Sequence, residues 1–503
     1  MARFPAFLAS CALLFLTDAR AQTMNDRHSI TVYSRAQPGA VNPAQISAES
    51  NPMFRRQRVP GYAIVRTRRT MDLSSGEVNF TDVAAGIDPT TVAFKSLTAP
   101  DTRVLEQNYR YDLVSTERML ERFLGQQLTV RQVLGKEVET VTGTLMTADG
   151  TSAVLAQEDG QLVSVSRLDQ VAFPDLPDGL ITRPTLNWAV ATDRDGEHEI
   201  EVSYETEGMT WWADYNLLVD ESDGCRADLS AWVSLINQTG ASFASARLKL
   251  IAGDVNRAPQ TQVQAGAVRR RAMDAAVMAE TSFEEEAFFE YHLYTLSRPA
   301  NLPDRSLKQL ELFPAARGVE CEKQLIFSAG YRPGSVYGRP YTNNNHPLPL
   351  RGDVQVRMKF RNSEDNALGI PLPAGRIRVS QRNASDGDLE FIGEDVVDHT
   401  PRNEAVSVKL GNAFDVVAER RQAAFQWNSG DSWMEETIEI ELRNQKEESA
   451  RVQVRESMLR WTNWRLTRQS HEEQQLDAGT IEFVVDVAPE SAETISYTVR
   501  YEW

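Results

Sequence analysis

Histidine and cysteine, the side chains most often recruited for catalysis and metal binding, are scarce: six and three among 503 residues. The histidines are His28, His198, His292, His346, His399 and His471, and none lies three or four residues from another. That spacing excludes the paired histidines of a helical zinc site. The chain has no CxxC pair and none of the glycine-rich phosphate or dinucleotide fingerprints. It also lacks the GxSxG turn that exposes a nucleophilic serine. Positive charge is in deficit, with 53 Lys and Arg against 71 Asp and Glu, a net charge of -18. No basic stripe offsets it, so nucleic acid is excluded as a bulk partner. Long hydrophobic runs are missing too. The longest, Phe7 to Leu16, is too short to cross a bilayer as a helix, so no transmembrane helix is expected.

That short run has another use. Arg3 precedes it, and Ala19-Arg20-Ala21 follows with the small residues that signal cleavage requires. Residues 1–21 therefore read as a signal peptide, with Gln22 first in the mature, periplasmic or secreted chain. Leu8-Ala9-Ser10-Cys11 matches a lipoprotein box in composition, but it stands too early, with most of the apolar run behind the cysteine. Cleavage removes Cys11 and leaves Cys225 and Cys321. In an oxidising compartment these two either form a disulfide or remain buried thiols in separate strands, and their spacing does not decide.

Most of the remaining chain is short alternating runs. Residues 61–73, 199–208, 247–253, 353–362, 376–383, 405–410, 436–444, 450–456 and 480–487 place apolar residues at every second position. Period two with one apolar face predicts half-buried antiparallel strands. Asp-Gly pairs at 149–150, 159–160 and 223–224 predict tight turns. Ser115 or Thr116 can cap a helix in which Met119 with Phe123, and Leu120 with Leu124, share a face, and Gly125 ends it. Five short runs follow, at 127–133, 140–148, 152–157, 162–166 and 169–174. A helix leading into five tightly turned strands resembles an Sm-like or SH3-like barrel. Residues 258–289 have no strand period and read as a mobile insertion, with three arginines at 269–271 and three glutamates at 284–286. Residues 328–353 read as a long loop. Asp193-Arg194-Asp195-Gly196-Glu197 matches the first ligands of a calcium loop, but position twelve is Tyr204, so a polar turn is the better reading.

The expected fold is mainly β: stacked immunoglobulin-like sandwiches with a small barrel inserted. The expected units are residues 22–114, a barrel at 115–176, a central sandwich at 177–385 and a C-terminal sandwich at 386–503. The last run ends at Trp503, with Ile495, Tyr497, Val499 and Tyr501 on one face. An aromatic terminus on an alternating strand also fits an outer-membrane barrel, but there is no long series of such segments with aromatic girdles.

Four blocks carry a family resemblance: GMTWWADYNLLVD at 208–220, LINQTGASFASARLKLIAGDVNR at 235–257, EYHLYTLSRPANLPDRSLKQLELF at 290–313, and FIGEDVVDHTPRNEAVSVKLGNAFDVVAERRQ at 391–422. Together they resemble the bacterial domain-of-unknown-function 4139 family, most specifically over 177–503. VLEQNYRYDL at 104–113 and LPDGLITRPTLNW at 176–188 are similar to its longer members. The resemblance implies an exported, β-rich bacterial protein. It brings no established reaction, ligand or catalytic residue.

The candidate ligand-binding residues are Trp211, Trp212, Asp214 and Tyr215, with Asp254, Asn256 and Arg257 at the end of the second block. Exposed aromatic rings beside a carboxylate grip sugar rings. Packing of both rings in a sandwich is the competing reading. Asp214 and Asp254 are also the named candidates for the paired acids of a glycoside hydrolase. The expected function is non-enzymatic binding or scaffolding of an envelope protein or glycan. The alternatives are a hydrolase with a site assembled from distant carboxylates and an outer-membrane-associated β protein. No cofactor or metal is expected.

Overall fold

A computed structural model describes residues 27–34, 59–112, 114–134, 137–175, 177, 180–220, 224–253, 255, 283–288, 291–328, 338–344, 351–383 and 385–503. The signal-peptide reading lies outside them. The described residues are mainly strand and form four sheets, none closed into a barrel. Each of the nine alternating runs forms a strand or part of one.

An eight-stranded sheet runs from Phe283–Phe288 through Tyr291–Leu296, Phe243–Ala252, Arg27–Ser34, Gly61–Leu73 and Gly196–Glu207 to Ile87–Ser96, and Ala300–Leu302 pairs with Phe243–Ala252. Strands before residue 114 and after residue 177 thus share one sheet, so the expected boundary between those units does not follow sheet membership. Within the expected insertion, Phe283–Phe288 is a strand on Tyr291–Leu296. His292 on one strand meets Glu285 on the other at 2.7 Å, a pairing that the sequence period did not reveal. Residues 258–282 lie outside the described set.

The helix is Thr116–Arg122, capped by Ser115, whose side chain accepts from the Arg118 amide. Met119, Leu120 and Phe123 are buried under the following strands, while Leu124 is half exposed, contrary to its expected place on the packing face. Five strands follow, Gln127–Leu134, Glu137–Ala148, Ala153–Ala156, Leu162–Val165 and Gln170–Ala172, with the last paired on the first. The Leu162–Val165 and Gln170–Ala172 edges do not pair. The expected barrel is therefore an open five-stranded sheet packed with a helix. Its core needs only one face of each short strand, so closure is not required to bury it.

The largest sheet has 13 strands. Its main path is Leu389–Val397, Gly375–Arg382, Met209–Asp220, Arg226–Asn237, Ser306–Ser328, Arg351–Arg361, Ala405–Asn428, Trp433–Asn444, Ser491–Glu502 and Trp464–Gln469. Ala450–Ser457, Glu473–Asp477 and Thr480–Val487 complete it. Two strands are unusually long, Ser306–Ser328 with 23 residues and Ala405–Asn428 with 24. Leu310, Phe313, Val406 and Val408 pack in the larger core, whereas Leu325, Phe327, Val416 and Ala418 pack in the C-terminal one. Each long strand thus serves both cores. Cys321 stands where Ser306–Ser328 leaves one partner strand for the next, and it is joined there to Cys225 by a disulfide.

Gly208 carries the chain from the eight-stranded to the 13-stranded sheet. Its φ is +89°, and a Cβ there would lie 2.7 Å from the Gln238 carbonyl oxygen. Only glycine fits both conditions without strain.

One corner is built three times. Asn237, Asn362 and Asn444 are each fully buried at or just after a strand end. The side-chain amide of Asn237 donates to the carbonyls of Ala241, Leu302 and Pro303 at 2.9–3.0 Å. Asn362 donates to Ile370, Thr400 and Pro401, and Asn444 to Glu448, Val487 and Ala488. Two residues past the last carbonyl in each set stands a non-glycine residue of positive φ: Arg305, Asn403 and Glu490. The same device therefore ties a strand end to the turn before a later strand in three places, which marks an internal structural repeat. Asn444→Ala removes a buried donor and strands three carbonyls. It is expected to cost about 2–4 kcal/mol of stability, against under 1 kcal/mol for the exposed Asn412→Ala. Urea denaturation of the two variants measures the difference.

Candidate functional site

Met209–Asp220 lies between Arg226–Asn237 and Gly375–Arg382, and residues 209–215 are buried on both faces. Strand alternation sends Trp211, Ala213, Tyr215, Leu217 and Val219 into the larger core. Thr210, Trp212 and Asp214 take the opposite face, where Val59 and Ile236 cover the Trp212 ring. Trp211 is 1% and Trp212 5% exposed. Neither ring offers a flat face to solvent, which a sugar-stacking patch needs. Both lie against protein because the strand is covered on each side, an arrangement that alternation alone does not forecast. Trp211 meets Tyr294 edge to face at 6.3 Å, and its indole N–H has no hydrogen-bond partner.

Asp214 is the hub of the outer face. Its Oδ2 accepts from Trp212 Nε1 at 2.8 Å and from Ser234 Oγ at 2.6 Å. Its Oδ1 takes Arg376 Nη2 at 3.3 Å. Gln309 Nε2 donates in turn to Ser234 Oγ at 3.3 Å. Both strands beside Met209–Asp220 thus meet it at one carboxylate, and Gln309 of Ser306–Ser328 reaches it through Ser234. Tyr215 donates to the Pro373 carbonyl at 2.7 Å and Tyr294 to the Pro371 carbonyl at 2.9 Å. Burial raises both phenols well above their ordinary range, so they stay protonated donors. The two tyrosines fasten the turn that leads into Gly375–Arg382. Asp254, Asn256 and Arg257 lie outside the described residues, so no carboxylate pair of Asp214 with Asp254 is on view.

A second polar centre escaped sequence reasoning altogether. In the C-terminal core, Arg420 Nε donates to Glu456 Oε2 at 2.8 Å, and Tyr497 donates to the same oxygen at 2.5 Å. Arg460 Nε lies 2.8 Å from Glu436 Oε2, which also accepts from Gln422 Nε2 at 3.1 Å. Tyr501 reaches Glu436 Oε1 at 3.5 Å. Arg460 also donates to the carbonyls of Tyr341 and Asn343 at 3.0 and 2.9 Å and stacks over Phe425. It thereby fixes part of the irregular stretch 328–353 to this core. The signal for the centre was present in strand phase. Glu436 falls in step with Met434, Ile438, Ile440 and Leu442, and Glu456 with Val452 and Val454.

Two arginines and two glutamates give this interior no net formal charge, which makes burial tolerable. Burial would depress the Arg420 guanidinium, but the Glu456 carboxylate and Tyr497 more than offset that and hold it above its ordinary value. Burial first, and then Glu456 and Glu436 respectively, push the Tyr497 and Tyr501 phenols well up. Arg420 Nη1, Glu456 Oε1 and Arg460 Nη2 have no hydrogen-bond partner. Among the described residues no three His, Cys, Asp or Glu side chains group as a metal site would require.

A family model described as a domain of unknown function, DUF4139, matches residues 200–503. The chain belongs to this family. A search of the curated proteins finds no match. The matched region includes both polar centres, the disulfide and all three asparagine corners.

Asp214→Ala leaves Trp212, Ser234 and Arg376 without their shared acceptor. It is expected to cost about 2–4 kcal/mol, and Asp214→Asn less, since the amide oxygen still accepts. Equilibrium denaturation decides between these values. In the second centre, Arg420→Met or Glu456→Leu alone strands a buried charge and is expected to cost about 3–5 kcal/mol. The double variant is expected to cost less than either single one. A double-mutant cycle checks this, and simple additivity would show the pair to be uncoupled.

Proposed function

We propose that this chain is an exported protein of a bacterial cell envelope that acts by holding a partner and performs no reaction of its own. The Cys225–Cys321 disulfide carries the reading. Disulfides persist where the compartment is oxidising and are rare where thiols are kept reduced. This one joins residues 96 apart in sequence, so the constraint it places on the unfolded chain is large, on the order of 4–5 kcal/mol by loop entropy. The signal-like pattern of residues 1–21 agrees with it.

Binding rather than catalysis is favoured by the condition of the polar groups. Asp214 is bonded to Trp212, Ser234 and Arg376, and Glu456 and Glu436 are held by arginine and tyrosine. Groups held so serve the fold. Large apolar side chains, by contrast, stand in solvent on one sheet edge. The partner is an envelope protein or a glycan.

Osmotic shock of cells producing the full chain is expected to release a mature form beginning at Gln22. Its two cysteines are expected to resist a maleimide reagent until reductant and denaturant are both added. Recovery only from the cytosol, with both thiols labelled before reduction, would refute the proposal.

A further inference from the structure

The 13-stranded sheet curls until its first strand, Leu389–Val397, comes up against Lys409 and Leu410 of the long strand Ala405–Asn428. The two edges do not pair as a ladder. They touch at Gly393 and Asp395, from the middle of the nine-residue strand toward its C-terminal end. There the Lys409 amide donates to Asp395 Oδ2 at 2.7 Å, and Gly393 sits so close that a Cβ would lie 2.4 Å from the Leu410 carbonyl oxygen. Each edge then becomes irregular. The pairing of Leu389–Val397 on Gly375–Arg382 slips between Val379 and Ser380. On the facing strand, the register on Arg351–Arg361 jumps from Asn412 to Val417. Phe414, within that jump, is 93% exposed, and Phe391 and Leu389 are 61% and 57% exposed.

Edges left open in native sheets are usually protected by lysine, proline or an inward charge. This edge has charges and a register slip, but it also carries exposed aromatic and aliphatic side chains, together with Val396, on a strand with one ladder partner. Exposed charges on and around the strand are mostly acidic: Glu390 and Glu394 on it, Asp386 and Asp388 just before it, Asp398 just after it and Asp415 beside Phe414, against Arg382 and Lys409.

We infer that the outer edge of Leu389–Val397 accepts an extended segment of a partner protein by strand addition, with apolar residues of that segment on Phe391, Leu389 and Phe414 and its basic residues opposite the acidic row. The inference rests on the binding role proposed above and names its surface. A second copy of this chain is disfavoured as the occupant. It would bring the same acidic row to the same edge and add to a net charge of -18.

The test uses the mature full-length protein and fluorescein-labelled peptides of one length. One alternates leucine and lysine, one alternates leucine and glutamate, and one is the lysine peptide interrupted by proline, which keeps the charge but cannot build a ladder. Only the uninterrupted lysine peptide is expected to bind, and Phe391→Asp is expected to weaken it about tenfold with the melting temperature unchanged. Phe414→Ser, also at an exposed site, is expected to weaken it in the same direction. Equal binding of the proline-interrupted peptide, binding unaffected by both substitutions, or no binding of any peptide would each overturn the inference. Pull-down from envelope extract separates the two readings. If Phe391→Asp captures the same protein as the wild type, the edge is wrong and the binding role stands. Capture by neither overturns both.

Discussion

Two strands hold this molecule together by belonging to two cores at once. Ser306–Ser328 and Ala405–Asn428 each extend on the order of 75 Å at the usual rise per residue, longer than one sandwich layer can use. Their first halves fill the larger core and their second halves the C-terminal one. Neither core can be displaced without bending a hydrogen-bonded strand. The disulfide sits where the first of these strands changes partners.

The polar interior follows from the same geometry. A strand that passes from one core to another presents its inward positions to both, and not all of them can be apolar. Arg420 lies on the second half of a long strand and meets Glu456 and Tyr497 from two strands it does not pair with. The asparagine corners address a related need at strand ends. Where a strand turns away from its sheet, its carbonyls lose their ladder partners while still buried, and one side-chain amide can serve several of them. Asn237, Asn362 and Asn444 do this with nearly the same partners each time. The three corners recur at the ends of Arg226–Asn237, Arg351–Arg361 and Trp433–Asn444, three of the strands that border the long ones.

Much of this was legible along the chain. Alternation located the strands, Asp-Gly pairs located turns at which Gly150, Gly160 and Gly224 indeed have positive φ, and the capping serine located the helix. Glu436 and Glu456 in phase with apolar neighbours were also readable, because a charge on the inward face of a strand has to be matched by another. The tryptophans left packing and sugar stacking both open for a physical reason. A strand with residues of both faces apolar can be an exposed edge with one sticky side or a central strand covered twice, and periodicity is the same for both. Trp211 and Trp212 are covered twice.

The sequence by itself determined the strand content, the helix and its cap, the family, and the cysteines available to pair, because each depends on local spacing or on residue identity. Sheet membership was decided only in three dimensions. The placing of Arg27–Ser34 in parallel beside Phe243–Ala252, the open edges of the five-stranded sheet, the sharing of two strands between cores and the burial of Asp214 all depend on which strands meet. Strand pairing joins residues that are hundreds of positions apart through backbone groups common to every residue, so it leaves little mark on any single stretch of chain.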